Sequence, residues 1–302
     1  MILTRSNSLL YSVLNFIGLI LICTSCQTEK SKKTINDNQV KLFESLTLYS
    51  SFDNGPNADF AKGDGTLYSV PSRTARDSAQ VGIHKEGVSI TQGKGLSGNA
   101  LSYTQRSKGY IYYPSKDNIG YSETNWSGAV SFWLQLDPAL DLKPGFCDPI
   151  QITDVSYNDA AIWVDFTKEN PRDFRLGVIG DKKVWKKDTT QSDTNDPVFL
   201  NQLIPVKNPP FSREAWTHIA INFDGLNTES GKTALYINGE LQGLRQDVTD
   251  PFTWELDKSN IYLGLSYIGL FDELSIYNKH LSAGEIKAIY NLKGDFKTIL
   301  KN

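Results

Sequence analysis

Between Leu46 and Tyr277 the chain repeats one pattern: short runs of β-branched and aromatic residues, alternating in polarity and separated by clusters of Gly, Asn, Asp and Pro. A period of two puts successive side chains on opposite faces, so such a chain buries its apolar side by stacking antiparallel sheets. The clearest strands are 46–52, 87–91, 100–104, 110–113, 129–136, 160–166, 174–179, 216–223, 233–237, 261–265 and 270–277. Asn238-Gly239 lies between Ala-Leu-Tyr-Ile and Glu-Leu-Gln-Gly and asks for a type I′ hairpin, because both residues tolerate positive φ. One helix is predicted after the last strand. Ser282 stands three residues before Glu285, a capping-box spacing, and Leu281, Ile286, Ile289 and Tyr290 form its apolar face. The stretch 181–212 breaks the pattern: rich in Lys, Asp, Thr, Asn and Pro, with Trp185 and Val198-Phe199-Leu200 embedded, it reads as a long excursion from one sheet edge, where function concentrates.

The N-terminus is of another kind. Arg5 precedes an uncharged apolar run from Leu9 to Cys23, which ends at Thr24-Ser25-Cys26 before a polar, lysine-rich stretch. A membrane-spanning helix needs about 20 apolar residues, so residues 1–25 read instead as a signal peptide. The segment resembles the bacterial lipobox, which predicts lipidation at Cys26. Cys23, after Leu21 and Ile22, is the alternative, and an ordinary signal peptide cut elsewhere is a third reading. Residues 26–40 hold almost nothing apolar and are expected to form a solvated tether, leaving 41–302 as a single domain. With 31 basic and 34 acidic residues and no basic patch, nucleic acid is an unsuitable partner. Past the signal region only Cys147 remains, so no disulfide can form within the mature domain.

Three segments together resemble the laminin-G-like, concanavalin A-like lectin/glucanase superfamily. They are Gly95-Leu-Ser-Gly-Asn-Ala-Leu101; Trp216-Thr-His-Ile-Ala-Ile-Asn-Phe-Asp-Gly225 running on to Ala234-Leu-Tyr-Ile-Asn-Gly-Glu240; and the stretch from Phe271-Asp-Glu-Leu-Ser-Ile-Tyr-Asn to the Leu-Ser-x-x-Glu-Ile helix ending at Tyr290. They frame about residues 43 to 293. The resemblance implies an all-β, antiparallel two-sheet jelly-roll sandwich with one short C-terminal helix, and commonly a carbohydrate- or protein-binding role. It fixes no ligand, because one fold carries lectins, hydrolases, lyases and structural modules.

Strand parity places Asp272 on the core side with Leu274 and Ile276, and Glu273 on the surface. A buried carboxylate must be paired, hydrogen-bonded or bound to a cation. Relatives in the superfamily often hold a structural calcium where the first and last strands meet, which implies Asp53 and Asp272 as its ligands here. The alternative is that Asp53 caps a turn and Asp272 accepts backbone N–H bonds. For carbohydrate, alternation gathers Trp133, His218 and Tyr236 on one mixed aromatic and polar face, with Trp185 of the excursion as a further contact. The competing reading has Trp133 and His218 packed beneath the long insertion.

Catalysis has little support in the sequence. No Glu-x-Asp-x-(x)-Glu strand of the laminarinase type and no Gly-x-Ser-x-Gly occurs, and Asp165 with Glu169 near Trp163 is the nearest approach to a carboxylate pair. The sequence therefore predicts a non-catalytic module in the cell envelope, lipid-anchored, with the outer membrane favoured because Gln27 rather than aspartate follows Cys26. Its partner is a glycan or glycosylated surface. Alternatives are another envelope protein docked through 181–212, favoured by an exposed apolar edge near Val198–Leu200, and a divergent glycoside hydrolase or lyase.

Overall fold

The computed structural model describes residues 42–294. A separate unit ends at Glu44, and the sheets are built from Ser45 onward. The signal peptide 1–25, the lipidation site Cys26 and the tether 26–40 lie outside the described residues.

In chain order the strands are β1 (Leu46–Ser50), β2 (Phe60–Ala61), β3 (Tyr68–Val70), β4 (Gln80–Val81), β5 (Val88–Thr91), β6 (Ala100–Tyr103), β7 (Tyr110–Pro114), β8 (Trp126–Gln135) and β9 (Cys147–Thr153). They continue as β10 (Ala161–Phe166), β11 (Phe174–Ile179), β12 (Leu203–Val206), β13 (Thr217–Leu226), β14 (Lys232–Ile237), β15 (Glu240–Arg245), β16 (Asn260–Leu265) and β17 (Gly269–Tyr277). One sheet runs β15-β14-β13-β8-β17-β1-β2, with β6 also paired to β17 and β5 to β6. The other runs β12-β11-β10-β9-β16-β7-β3-β4. The pairings are antiparallel, so the architecture is the expected two-sheet sandwich.

The period-two pattern does the folding. Val130, Phe132 and Leu134 of β8 meet Ile162, Val164 and Phe166 of β10 in one buried cluster between the sheets, while the residues between them face outward. Asn238 has φ +54 and Gly239 φ +77, as the predicted hairpin between β14 and β15 requires. The helix Ala283–Leu292 closes the domain with the predicted capping box: Ser282 Oγ accepts from Glu285 N at 3.2 Å, and Glu285 Oε2 accepts from Ser282 N at 2.8 Å.

Strands β2, β3, β4, β9 and β12 are not among those the sequence predicts. β9 is an interior strand despite containing Pro149, which cannot donate to a ladder. Proline is tolerated here because the register with β10 shifts between Val164 and Phe166, a bulge that leaves Pro149 opposite no regular partner. The insertion 181–212 is an excursion from one sheet edge, as expected. It folds back over the outer face of β9–β11 and returns β12 to the edge of the same sheet beside β11.

Candidate functional site

The open aromatic platform expected at Trp133, His218 and Tyr236 is closed. These residues are 4 %, 0 % and 8 % exposed, because the C-terminal helix lies on their face of the sheet. The Tyr290 ring stacks on Trp133 at 5.6 Å and 17°, and sits 5.9 Å from His218. Asn222 fastens the approach to this helix by accepting from Leu281 N at 3.0 Å and donating to Leu281 O at 2.8 Å. The packing alternative was right in kind, but the cover is the helix and not the insertion.

His218 is held neutral there. Its Nε2 lies 2.8 Å from Ser131 Oγ, and Trp133 and Tyr290 flank its ring. Burial pushes its pKa down to about 3. The folded state therefore binds the proton less well than the unfolded chain, whose imidazole titrates near 6.5. Stability from this group is complete above about pH 6.5 and is lost as pH falls toward 3. The change in urea-unfolding stability between pH 7.5 and pH 5 should therefore differ by about 2 kcal/mol between the wild type and His218→Gln, the comparison that cancels the opposite contribution of the raised buried carboxyls. The same change in that variant would assign the acid sensitivity to other groups.

Trp185, expected as a ligand contact, is 3 % exposed, and its Nε1 donates to Asn158 O at 3.1 Å. It anchors the insertion. Beside it Lys186 Nζ lies 3.0 Å from Asp193 Oδ1 and 2.9 Å from Asp196 Oδ2, a buried cation that ties two turns of the insertion together. Tyr157 OH and Asn158 Nδ2 both donate to Asp193 Oδ2, joining the insertion to the sheet.

Asp53 and Asp272 grip one loop from two sides. Asp53 Oδ1 accepts from Asn99 N at 2.6 Å, while Asp272 Oδ2 accepts from Leu96 N at 2.7 Å and its Oδ1 from Glu273 N at 2.9 Å. Only glycine allows this approach at residue 98, where φ is +84 and a Cβ would fall 2.3 Å from Asp53 Oδ1. Asp272 is fully buried, and desolvation pushes its carboxyl up to about 8. Glu273 is not on the surface as parity predicts. The ladder shifts between Asp272 and Ser275, Glu273 takes φ +53, and its buried Oε2 accepts from Tyr49 OH at 2.6 Å. Calcium takes six to eight oxygens. Asp53 and Asp272 would supply carboxylates to such an ion, but both already accept backbone N–H groups, and no cluster of three His, Cys, Asp or Glu is gathered among the described residues.

A small, aromatic-walled cavity lies on the other sheet. Under the insertion, the outward face of β9–β11 floors a cavity of about 260 Å³ walled by the rings of Phe146, Trp163, Tyr157 and Phe199. Trp163 and Phe199 lie nearly parallel, 23° apart with centroids at 6.3 Å, and Gly177 gives Trp163 its place, since a Cβ there would lie 2.3 Å from Trp163 Cζ2. Exposed Tyr157 and Thr194 stand at the mouth.

Three ionisable side chains share this cavity: Asp148, Asp165 and Arg175. The guanidinium forks onto Asp165, with Nε to Oδ1 at 2.8 Å and Nη2 to Oδ2 at 2.5 Å. Asp148 Oδ2 accepts from Gln151 Nε2 at 2.7 Å. Burial pushes the Asp148 carboxyl well above the usual carboxylate range, and the neighbouring Asp165 charge pushes it further, against the pull of Arg73 and Arg175. Asp148 and Asp165 flank the Pro149 bulge, which turns both toward the cavity side. The sequence picks out Asp165 with Glu169, near Trp163, only as the nearest approach to a carboxylate pair, and Glu169 stands exposed in a turn after the strand. Asp148 is missed because Pro149 hides β9.

The description of the concanavalin A-like lectin/glucanases superfamily matches residues 107–287, more than half of the chain. A search of the curated proteins found no match. Among solved structures, the ligand-binding domain of botulinum neurotoxin serotype D in complex with N-acetylneuraminic acid is 14 % identical with a TM-score of 0.51, covering 84 % of this chain and 52 % of that one. The binding domain of botulinum neurotoxin DC in complex with rat synaptotagmin II is 12 % identical with a TM-score of 0.51, covering 83 % and 52 %. Domain 4 of AbnA, a GH43 extracellular arabinanase from Geobacillus stearothermophilus, in complex with arabinotriose, is 19 % identical with a TM-score of 0.46, covering 82 % and 98 %. The chain thus spans about half the length of the neurotoxin domains, and at these identities the likeness is one of fold.

Proposed function

The chain belongs to the concanavalin A-like lectin/glucanase superfamily, and on that premise we propose that it is a carbohydrate-binding module held outside the cytoplasm by a lipid on Cys26. One observation carries the binding half of this reading: a small cavity on the sheet face with four aromatic walls and a few fixed polar groups. Sugar C–H faces stack on rings, while hydroxyls need partners whose positions are set by the scaffold. Asp148, Asp165 and Arg175 are such partners, each positioned by a strand.

A glycan array probed with the purified protein tests it. Binding that is lost in Trp163→Ala variants that remain folded supports the cavity. Binding that persists in them would move the site elsewhere. For the anchor, Cys26→Ser should abolish lipid labelling and Cys23→Ser should not; the reverse result assigns the lipid to Cys23.

A second reading has its own observation. Val198 and Leu200 are 48 % and 41 % exposed on either side of buried Phe199, an apolar edge on the insertion that suits a protein partner in the cell envelope. Serine at both positions should then weaken capture of that partner without changing glycan binding.

Calcium at Asp53 and Asp272 belongs to the same proposal. Asp272→Ala is expected to cost about 1–3 kcal/mol by stranding the Leu96 and Glu273 N–H groups, and Glu273→Ala a comparable amount because Tyr49 loses its acceptor. If calcium adds to this clamp, chelator lowers the melting temperature of the wild type but not of Asp272→Ala. A wild type indifferent to chelator leaves the two aspartates as backbone clamps alone.

A further inference from the structure

We propose that the cavity under the insertion selects a sugar ring bearing a protonated amine, with Asp148 as its counter-charge. The inference rests on the carbohydrate reading of that cavity and names the class of sugar.

The charges are unequal. Arg175 spends two donors of its guanidinium on both oxygens of Asp165, so that pair is neutral and closed. Asp148 is the second carboxyl in the same space and has no cation of its own. Its contact is the neutral amide of Gln151, whose Oε1 in turn accepts from Arg73. Arg73 stands on the far side of that amide, with its guanidinium over the Tyr262 ring at 4.5 Å and the Tyr110 ring at 5.3 Å. Ionised Asp148 therefore leaves the cavity one negative charge in excess, which a buried site resists by keeping the proton.

A ligand ammonium removes that conflict. It gives Asp148 a charge-assisted hydrogen bond; the Arg175 guanidinium already lies 5.0 Å from the Phe146 centroid and 6.0 Å from that of Trp163, so cation–π attraction to the ligand comes from the ring faces that Arg175 leaves open, those of Tyr157 and Phe199 first. An anionic sugar meets the opposite situation: two carboxyls and one guanidinium already occupied. At about 260 Å³ the cavity is just below the roughly 300–1,000 Å³ of sites for drug-sized ligands, so it holds one ring and not a chain segment.

Binding then exchanges a proton. Asp148–COOH and the incoming –NH₃⁺ become Asp148–COO⁻ paired with –NH₃⁺, and the carboxyl proton leaves to solvent. The charged or titratable groups around Asp148 are Asp165, Arg175, Arg73, Tyr157 and Cys147.

Calorimetry of glucosamine and glucose on the full chain, in buffers of different ionisation enthalpy, reads both affinity and proton release. Glucosamine is expected to bind about tenfold or more tightly than glucose near neutral pH, releasing up to one proton, and in Asp148→Asn the two affinities should converge with no proton released. Equal affinities with no proton release overturn the inference and leave the carbohydrate reading standing. Binding of neither sugar, in protein that melts normally, counts against both. Should Asp148→Asn fail to fold, the proton count of the wild type decides. Methylammonium, which has the charge without the ring, should compete only weakly; competition equal to that of glucosamine would overturn the assignment to a sugar.

Discussion

Trp133→Ala is expected to lower the stability of the domain by about 3–5 kcal/mol, measured by urea unfolding, while the ligand affinity of the folded protein stays unchanged. The indole is almost fully buried between His218 and the Tyr290 ring of the C-terminal helix, so truncation leaves a void on the sheet and frees the helix from its main aromatic contact. Tyr290→Ala should reproduce part of the loss, and the two losses should not add, because each variant removes the same stacked pair. A Trp133→Ala protein of wild-type stability that has lost its glycan would restore this face as the binding surface.

Arg175→Leu or Asp165→Leu alone is expected to cost about 3–5 kcal/mol, because each leaves an uncompensated charge under the insertion. The Arg175 side chain is 13 % exposed and that of Asp165 5 %, so water can do little to replace the missing partner. Changing both to leucine should recover much of the loss, since a buried ion pair is often close to neutral against apolar residues of similar size. The double variant should nevertheless lose ligand binding, which separates the pair's role in the cavity from its role in the fold. Losses that simply add would show that the two side chains act independently, contrary to the forked geometry.

Which features could be read from the sequence follows from how local their causes are. The alternating runs, Asn238-Gly239 and the Ser282 and Glu285 capping box each report structure set by near neighbours, and each is present where expected. The site was less legible. Parity identified Trp133 and His218 as facing away from the core, but not that a helix 70 or more residues later would cover them. Trp163 and Asp165 were noticed, yet their partners come from β9 and β11, and one of those strands carries a proline that argues against its central position. Glu273 shows the same limit on a smaller scale, since one irregular residue in β17 turned a surface position into a buried one.

The first strand of the sandwich pairs with the last: Leu48 of β1 lies opposite Ile276 of β17, and β8 takes the other side of β17. During vectorial synthesis β1 can pair with β2 and β8 with β13, but the side of each that faces β17 stays open until nearly the whole domain has emerged. Chains stopped before β17 would carry two unpaired edges into solution, open to pairing with other molecules. The two halves of the domain can form in turn, but joining them is a late event that depends on the C-terminal strand.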